Sequence, residues 1–253
     1  MTIVVPNLQN PTENDAPPVD ALESNWALAE KIDRSIGASV IHYGFASGGS
    51  LALLLSGGWW LIAILGSLHQ TYSRLFQISK LTNIKKVLTN ILEDFKDESD
   101  LKIYGCIEVD KEEALDLFAT FNKKANFFIS VRSKGQSKLF YDAEKDWVYG
   151  KRKRKSRQKW RSHPIEEMKA YVRWISKNRQ LLNLSSRQIS KTPYARIVAI
   201  CKPTEIADHE DKFYSIINGE KVLTINKTFF VGEENVTKLM KAFLANQIEY
   251  PKT

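Results

Sequence analysis

Residues 35–73 contain no Asp, Glu, Lys or Arg. A charge-free run of 39 residues has to be covered on every side, by protein or by lipid. Its central stretch, Gly44–Leu68 (GFASGGSLALLLSGGWWLIAILGSL), is 25 residues long, and a bilayer's hydrocarbon core takes about 20 helical residues. The pairs Gly48-Gly49 and Gly57-Gly58 weaken a helix in water but are tolerated in lipid, where small residues let helices approach. The run is therefore expected to form one transmembrane helix over 44–68. A re-entrant hairpin bent at Gly57-Gly58 and a buried helix of a soluble core are the alternatives. Lys31 and Arg34 flank the amino-terminal side, whereas Arg74, Lys80, Lys85 and Lys86 flank the other. By the positive-inside bias, a single-pass membrane protein with a cytoplasmic carboxyl-terminal domain is expected.

The flanking segments differ in kind. Residues 1–23 are rich in Pro, Asn, Asp and Glu, cannot bury enough apolar surface to offset ordering, and are expected to be a disordered acidic tail. No cationic start, apolar run and small-residue cleavage site occur in order within the first thirty positions, so a cleaved signal peptide is not expected. Residues 24–43 hold a short amphipathic helix, with Trp26, Leu28, Ile32 and Ile36 on one face, and a lead-in. Residues 75–253 form the remaining domain. Cys106 and Cys201 are too few for a disulfide framework or a four-thiolate zinc site, and the four histidines (His42, His69, His163, His209) have no ligand spacing.

Periodicity divides the last unit. Ile84, Val87, Leu88, Ile91, Leu92 and Phe95 share a helical face. Strands are expected at Leu101–Val109, Leu115–Phe121 and Asn126–Arg132, with a small hairpin at Leu139–Tyr141 and Trp147–Tyr149. Pro164 opens a helix carrying Ile165, Met168, Val172, Ile175 and Leu182. Strands at Tyr194–Ile200 and Val222–Ile225 and a helix through Val236, Leu239, Met240 and Phe243 follow. The order predicts an α/β fold, a single mixed sheet flanked by helices.

The net charge of +8 has one source. Of the 37 Lys and Arg residues, eight fall within Lys151–Arg161 (KRKRKSRQKWR), and the remaining 29 are balanced by 29 Asp and Glu. Lys151, Arg152, Lys153, Arg154, Lys155, Arg157, Lys159 and Arg161, with Trp160, are candidates for nucleic-acid binding. Their cations would meet phosphates, and Trp147, Tyr149 and Trp160 would offer rings for stacking. Anionic lipid headgroups or an acidic partner are the competing targets, and a solvated loop the plainest reading.

The stretch from about Thr82 to Leu244 resembles the nuclease-related domain, a branch of the PD-(D/E)xK restriction-endonuclease-like fold. The resemblance rests on Asp116 in Ala-Leu-Asp-Leu-Phe and on Asn126-Phe-Phe-Ile-Ser-Val-Arg132, followed by Lys134-Gly135. It extends to Trp147, His163-Pro-Ile-Glu-Glu167, Arg196–Ile200 and Val236–Leu244. It implies a magnesium-type cation held between Asp116 and a second carboxylate, with a lysine orienting water. The second carboxylate position holds Ser130, the lysine position holds Arg132, and Thr82-Asn83-Ile84-Lys85 lacks the early helix's glutamate. Serine is a poor magnesium ligand beside a phosphate, and arginine stays protonated. The resemblance thus implies a degenerate catalytic set of Asp116, Ser130, Arg132 and Glu167, with Asp116 the one remaining metal ligand and no cofactor. Cleavage with magnesium would require Glu166 or Glu167 to replace the missing carboxylate. The alternative for that pair is the ordinary use of acids in a helix's first turn. The expected function is a membrane-tethered nuclease-like domain that binds nucleic acid without cutting it. A membrane scaffold docking on lipid or an acidic partner, and an active nuclease with a relocated carboxylate, are the alternatives.

Overall fold

The structure, a computed structural model, describes residues 25–38, 40, 61–110, 113–152, 156–160 and 162–250. The expected acidic tail, most of the apolar run, and Lys153, Arg154, Lys155 and Arg161 lie outside the described residues.

Helix α1 covers residues 25–38 and α2 covers Leu61–Asp94. The strands that follow are β1 (Leu101–Asp110), β2 (Glu113–Phe121), β3 (Ala125–Arg132), β4 (Lys138–Asp142), β5 (Trp147–Lys151) and β6 (Arg157–Lys159). Helices α3 (Pro164–Lys177) and α4 (Ser186–Ser190) precede β7 (Tyr194–Ile200) and β8 (Glu205–Ile206). Then come β9 (Tyr214–Ile217), β10 (Glu220–Ile225), β11 (Thr228–Gly232), α5 (Val236–Leu244) and β12 (Ile248–Glu249).

The transmembrane expectation is overturned. Among the described residues no helix is long and apolar enough to cross a membrane. Of the expected span, the described part of α2 holds Leu61–Leu68 and continues through His69-Gln70-Thr71 into Arg74, Lys80, Lys85 and Lys86. That described apolar stretch is shorter than the roughly 20 helical residues that cross hydrocarbon. The single-pass membrane location, and the cytoplasmic placement derived from it, are withdrawn with it. The limit expected between residues 68 and 75 falls inside one continuous helix.

The α/β class holds, with a large mixed sheet flanked by helices. Its order is β1-β2-β3-β7-β11-β10-β9-β12. The meander β1-β2-β3 is antiparallel, and β3, β7 and β11 run parallel at the centre. A single sheet was expected. Instead β6-β5-β4-β8 make a second, four-stranded sheet.

The large sheet has a core on each face, as strand alternation dictates. On one, Phe127, Ile129 and Val131 of β3 meet Ala29 and Ile32 of α1, Ile84–Phe95 of α2, and Leu239 and Met240 of α5. The helical stripe read from the sequence is buried as expected, each such side chain stabilising by about 1.5–3 kcal/mol. Trp26, placed on the buried face of α1 from sequence, is exposed, while its neighbour Asn25 is fully buried. Asn25 donates to the Leu101 carbonyl at 3.0 Å and accepts from the Ile103 amide at 2.9 Å. One side chain thereby closes an open strand edge, which would otherwise be free to pair. On the opposite face Phe128 and Val198 meet Ile165, Met168, Tyr171 and Ile175 of α3, with Leu139, Val148 and Trp160 from the small sheet and its end.

Candidate functional site

Strand β2 turns over at Asp116. Leu115 and Leu117, which strict alternation would put on one face, lie in opposite cores. The β2–β3 ladder runs from Leu117↔Ile129 to Phe121↔Ala125 and stops short of Asp116. Opposite it on β1 stands Cys106, whose φ of 52° is left-handed, an uncommon conformation for a residue with a side chain. At the fork the Asp116 carboxylate replaces the missing strand: its Oδ2 accepts from the Val131 amide at 2.7 Å.

A chain of polar side chains then crosses the sheet. Lys80 of α2 reaches Asp116 Oδ1 at 2.7 Å from one face. Ser130 Oγ lies 3.4 Å from Asp116 Oδ2 and accepts from Arg132 Nε at 2.9 Å. Arg132 in turn pairs with Glu167, in the first turn of α3, on the other face. Asp116 and Glu167 are 2% and 6% exposed. The four residues named from sequence therefore do converge. Lys80 is a member that sequence reasoning missed. Its sequence signal is its position one turn ahead of Ile84, in a helix whose stripe packs on that sheet face. Glu167 is not a solvent-facing first-turn acid; Glu166 fills that role, paired with Lys169 at 2.7 Å.

This network does not fit a divalent cation. Each of its two carboxylates already faces a fixed cation, so the site is near neutral. A metal at Asp116 would meet the Lys80 ammonium at a few ångströms, a repulsion of several kcal/mol in a partly buried setting. Among the described residues no group of three His, Cys, Asp or Glu could hold a metal. A neighbouring set at the strand ends is similarly closed. Glu233, 3% exposed, pairs with Lys86 of α2 at 2.6 Å and holds the Cys201 thiol by hydrogen bonding. Burial and that acid push the Cys201 thiol well above its usual range, which disfavours the thiolate that a nucleophilic cysteine needs.

The basic segment is built differently. Strand register fixes which side chains of the small sheet share a face. Lys138, Lys151 and Arg157 are cross-strand neighbours, then Phe140, Tyr149 and Lys159, then Asp142 and Trp147. Leu139 and Val148 point the other way, into the core. Glu205 of β8 is the partner of Lys138 on its other side, so the outer face presents four cations with three aromatic rings and two acids, Asp142 and Glu205. Lys138 was not anticipated, although its alternation with Phe140 and Asp142 is readable. Arg157 has Asp142 at 3.8 Å and Lys138 has Glu205 at 3.6 Å; among the described residues no acid pairs with Lys151 or Lys159.

The rings do not stand open for stacking. Arg157 lies over Phe140, 4.5 Å from its centroid, and Lys159 over Trp147 at 4.7 Å. Phe140 and Tyr149 stack on each other at 5.5 Å, and His163 meets Trp147 edge-on at 4.6 Å. Trp160, expected as a stacking residue, is buried in the core beside α3. His163 Nε2 donates to the Asp146 carbonyl at 2.7 Å.

Lys134, part of the stretch that carries the resemblance, braces this sheet. Its ammonium donates to the carbonyls of Gln158 at 3.3 Å and Lys159 at 2.7 Å. It passes over Gly150, where an added Cβ would stand 2.8 Å from Lys134 Cδ. Burial, and secondarily Arg152, lower its affinity for a proton.

No family model, curated protein or solved structure matches this chain. The description of the chain as a nuclease-related membrane protein therefore has no relative behind it, and its membrane part is contradicted by the helices.

Proposed function

We propose that this chain is a nuclease-like domain that binds nucleic acid through the outer face of the small sheet and does not cleave it. The observation that carries the reading is the grouping of Lys138, Lys151, Arg157 and Lys159 on one face with two acids, Asp142 and Glu205, which leaves Lys151 and Lys159 without an acidic partner among the described residues. Arg152 adjoins that face, and the basic residues 153–155 continue the sequence from it. Such a surface attracts a polyanion, and release of counterions from phosphates favours the complex.

The restriction-endonuclease-like part of the proposal is supported by element order. A helix and a three-strand antiparallel meander are followed, after β4–β6 of the small sheet, by helices α3 and α4 and a strand parallel to the meander's last strand. Asp116 and the Ser130 and Arg132 positions meet at the fork, as that resemblance implies. The absence of cleavage is argued from charge. With Lys80 on Asp116 and Arg132 on Glu167, no carboxylate of the network is left to gather a cation or activate water.

The test is binding of the full chain to labelled DNA and RNA over a salt series, with magnesium and with manganese. A salt-dependent shift, weakened by combined Lys151→Gln, Arg157→Gln and Lys159→Gln substitution, is expected, with no nicking. Binding to anionic vesicles but not to nucleic acid would overturn the binding reading. Nicking abolished by Asp116→Ala would overturn the inactive one.

A further inference from the structure

We infer that the outer face of the small sheet takes duplex nucleic acid by its phosphates and does not capture unpaired bases. The inference rests on the nucleic-acid reading above and narrows it to one class of ligand.

Single-strand binders combine cations with free aromatic faces on which bases stack. The residue types for that are present, but their arrangement forbids it. The Arg157 guanidinium covers Phe140, the Lys159 ammonium covers Trp147, and Tyr149 is 7% exposed against Phe140. A base could reach a ring only by displacing a cation that the phosphate backbone also needs. The aromatic rings therefore act as seats for the cations, fixing where the positive charge stands.

The layout of those cations suits a double helix. Lys138, Lys151 and Arg157 form a row across three adjacent strands. At about 4.8 Å per strand the row spans roughly 10 Å before side-chain reach is counted. The grooves of duplex DNA are about 6 and 12 Å wide, so one row can meet phosphates on both rims. Lys138 and Arg157 are 65% and 59% exposed, each beside one acid, Glu205 at 3.6 Å and Asp142 at 3.8 Å, in surface pairs that a phosphate can replace. Neighbouring strands hold the row in register, and Lys134 fixes β6 from behind through two carbonyls.

The experiment uses the full chain with a DNA duplex and a single strand of equal length, in direct and competition binding. Trp147→Leu and Phe140→Leu are measured beside the parent chain. The duplex should bind more tightly and show the steeper salt dependence, and each substitution should change duplex and single-strand affinity by the same factor to within about twofold. Stacking contributes on the order of 5- to 150-fold per base. A tighter single strand, or a loss of that size with Trp147→Leu confined to the single strand, overturns the inference while leaving nucleic-acid binding intact. Failure to bind either ligand overturns both.

Discussion

The fork at Asp116 and the outer face of the small sheet hold comparable numbers of charged groups and manage them in opposite ways. At the fork, two acids and two bases are partly or wholly buried and paired, two of the four from helices on opposite faces of the sheet. On the outer face, four bases meet two acids, Asp142 and Glu205, and stay in water. Burial forces the first arrangement, because an uncompensated charge there costs several kcal/mol. Exposure permits the second, because water screens the repulsion. The fork is organised for cohesion, and the open face for a partner that supplies the missing negative charge.

Substitutions should separate the two regions. Asp116→Ala removes the acceptor of the buried Val131 amide and the partner of Lys80. It should cost about 3 kcal/mol in urea unfolding and leave the affinity of the folded fraction for DNA unchanged. Equal losses of both would merge the regions into one site.

The triple Gln substitution at Lys151, Arg157 and Lys159 should do the reverse. Each is exposed, so stability should move by less than about 0.5 kcal/mol per site. The log–log salt dependence of duplex binding should become shallower by about 2.7, at roughly 0.9 for each phosphate no longer neutralised. An unchanged slope would mean that these side chains meet no phosphates.

Gly150→Ala sharpens the boundary between the regions. The new methyl would push Lys134 from the carbonyls of β6, costing about 1 kcal/mol and loosening β6. Amide exchange should rise at Gln158 and Lys159 and remain unchanged at Val131.

The smallest effect is expected at Asp94, a surface pair that serves as a control. Hydrogen bonds from Lys241 and then Thr237 hold its pKa below the usual 3.8. Its stabilising contribution is therefore full above that value and is lost as pH falls through the lower folded value. Asp94→Asn should cost under about 1 kcal/mol at neutral pH, and the difference from the parent should vanish in acid. A difference that persists there would mean that the cost is steric.

The core was the most legible part. Ile84 through Phe95 keep helical spacing, and Phe127, Ile129 and Val131 alternate, so their burial follows from local periods. Thr228–Gly232 escapes that reading, although Asn226-Lys227 before it is a two-residue turn that pairs it with Val222–Ile225. It lies between β10 and the distant β7 and is buried on both faces, so its short apolar run shows no alternation to announce a strand. The apolar run of the amino-terminal region misleads for a related reason. Composition gives its length, but the part of it that is described, Leu61–Leu68, belongs to a helix that continues through the charged residues expected to flank it.

By itself the sequence determined the secondary-structure periods, the residues able to fill two cores, and the concentration of surplus positive charge in one segment. Those properties depend on neighbours along the chain. Tertiary structure decided that Lys80, thirty-six positions before Asp116, would neutralise it, and that Arg132 would occupy Glu167. It also decided that the rings of the basic segment would seat cations and leave no face for a base. Pairing depends on distance in space, and only the folded sheet sets that distance.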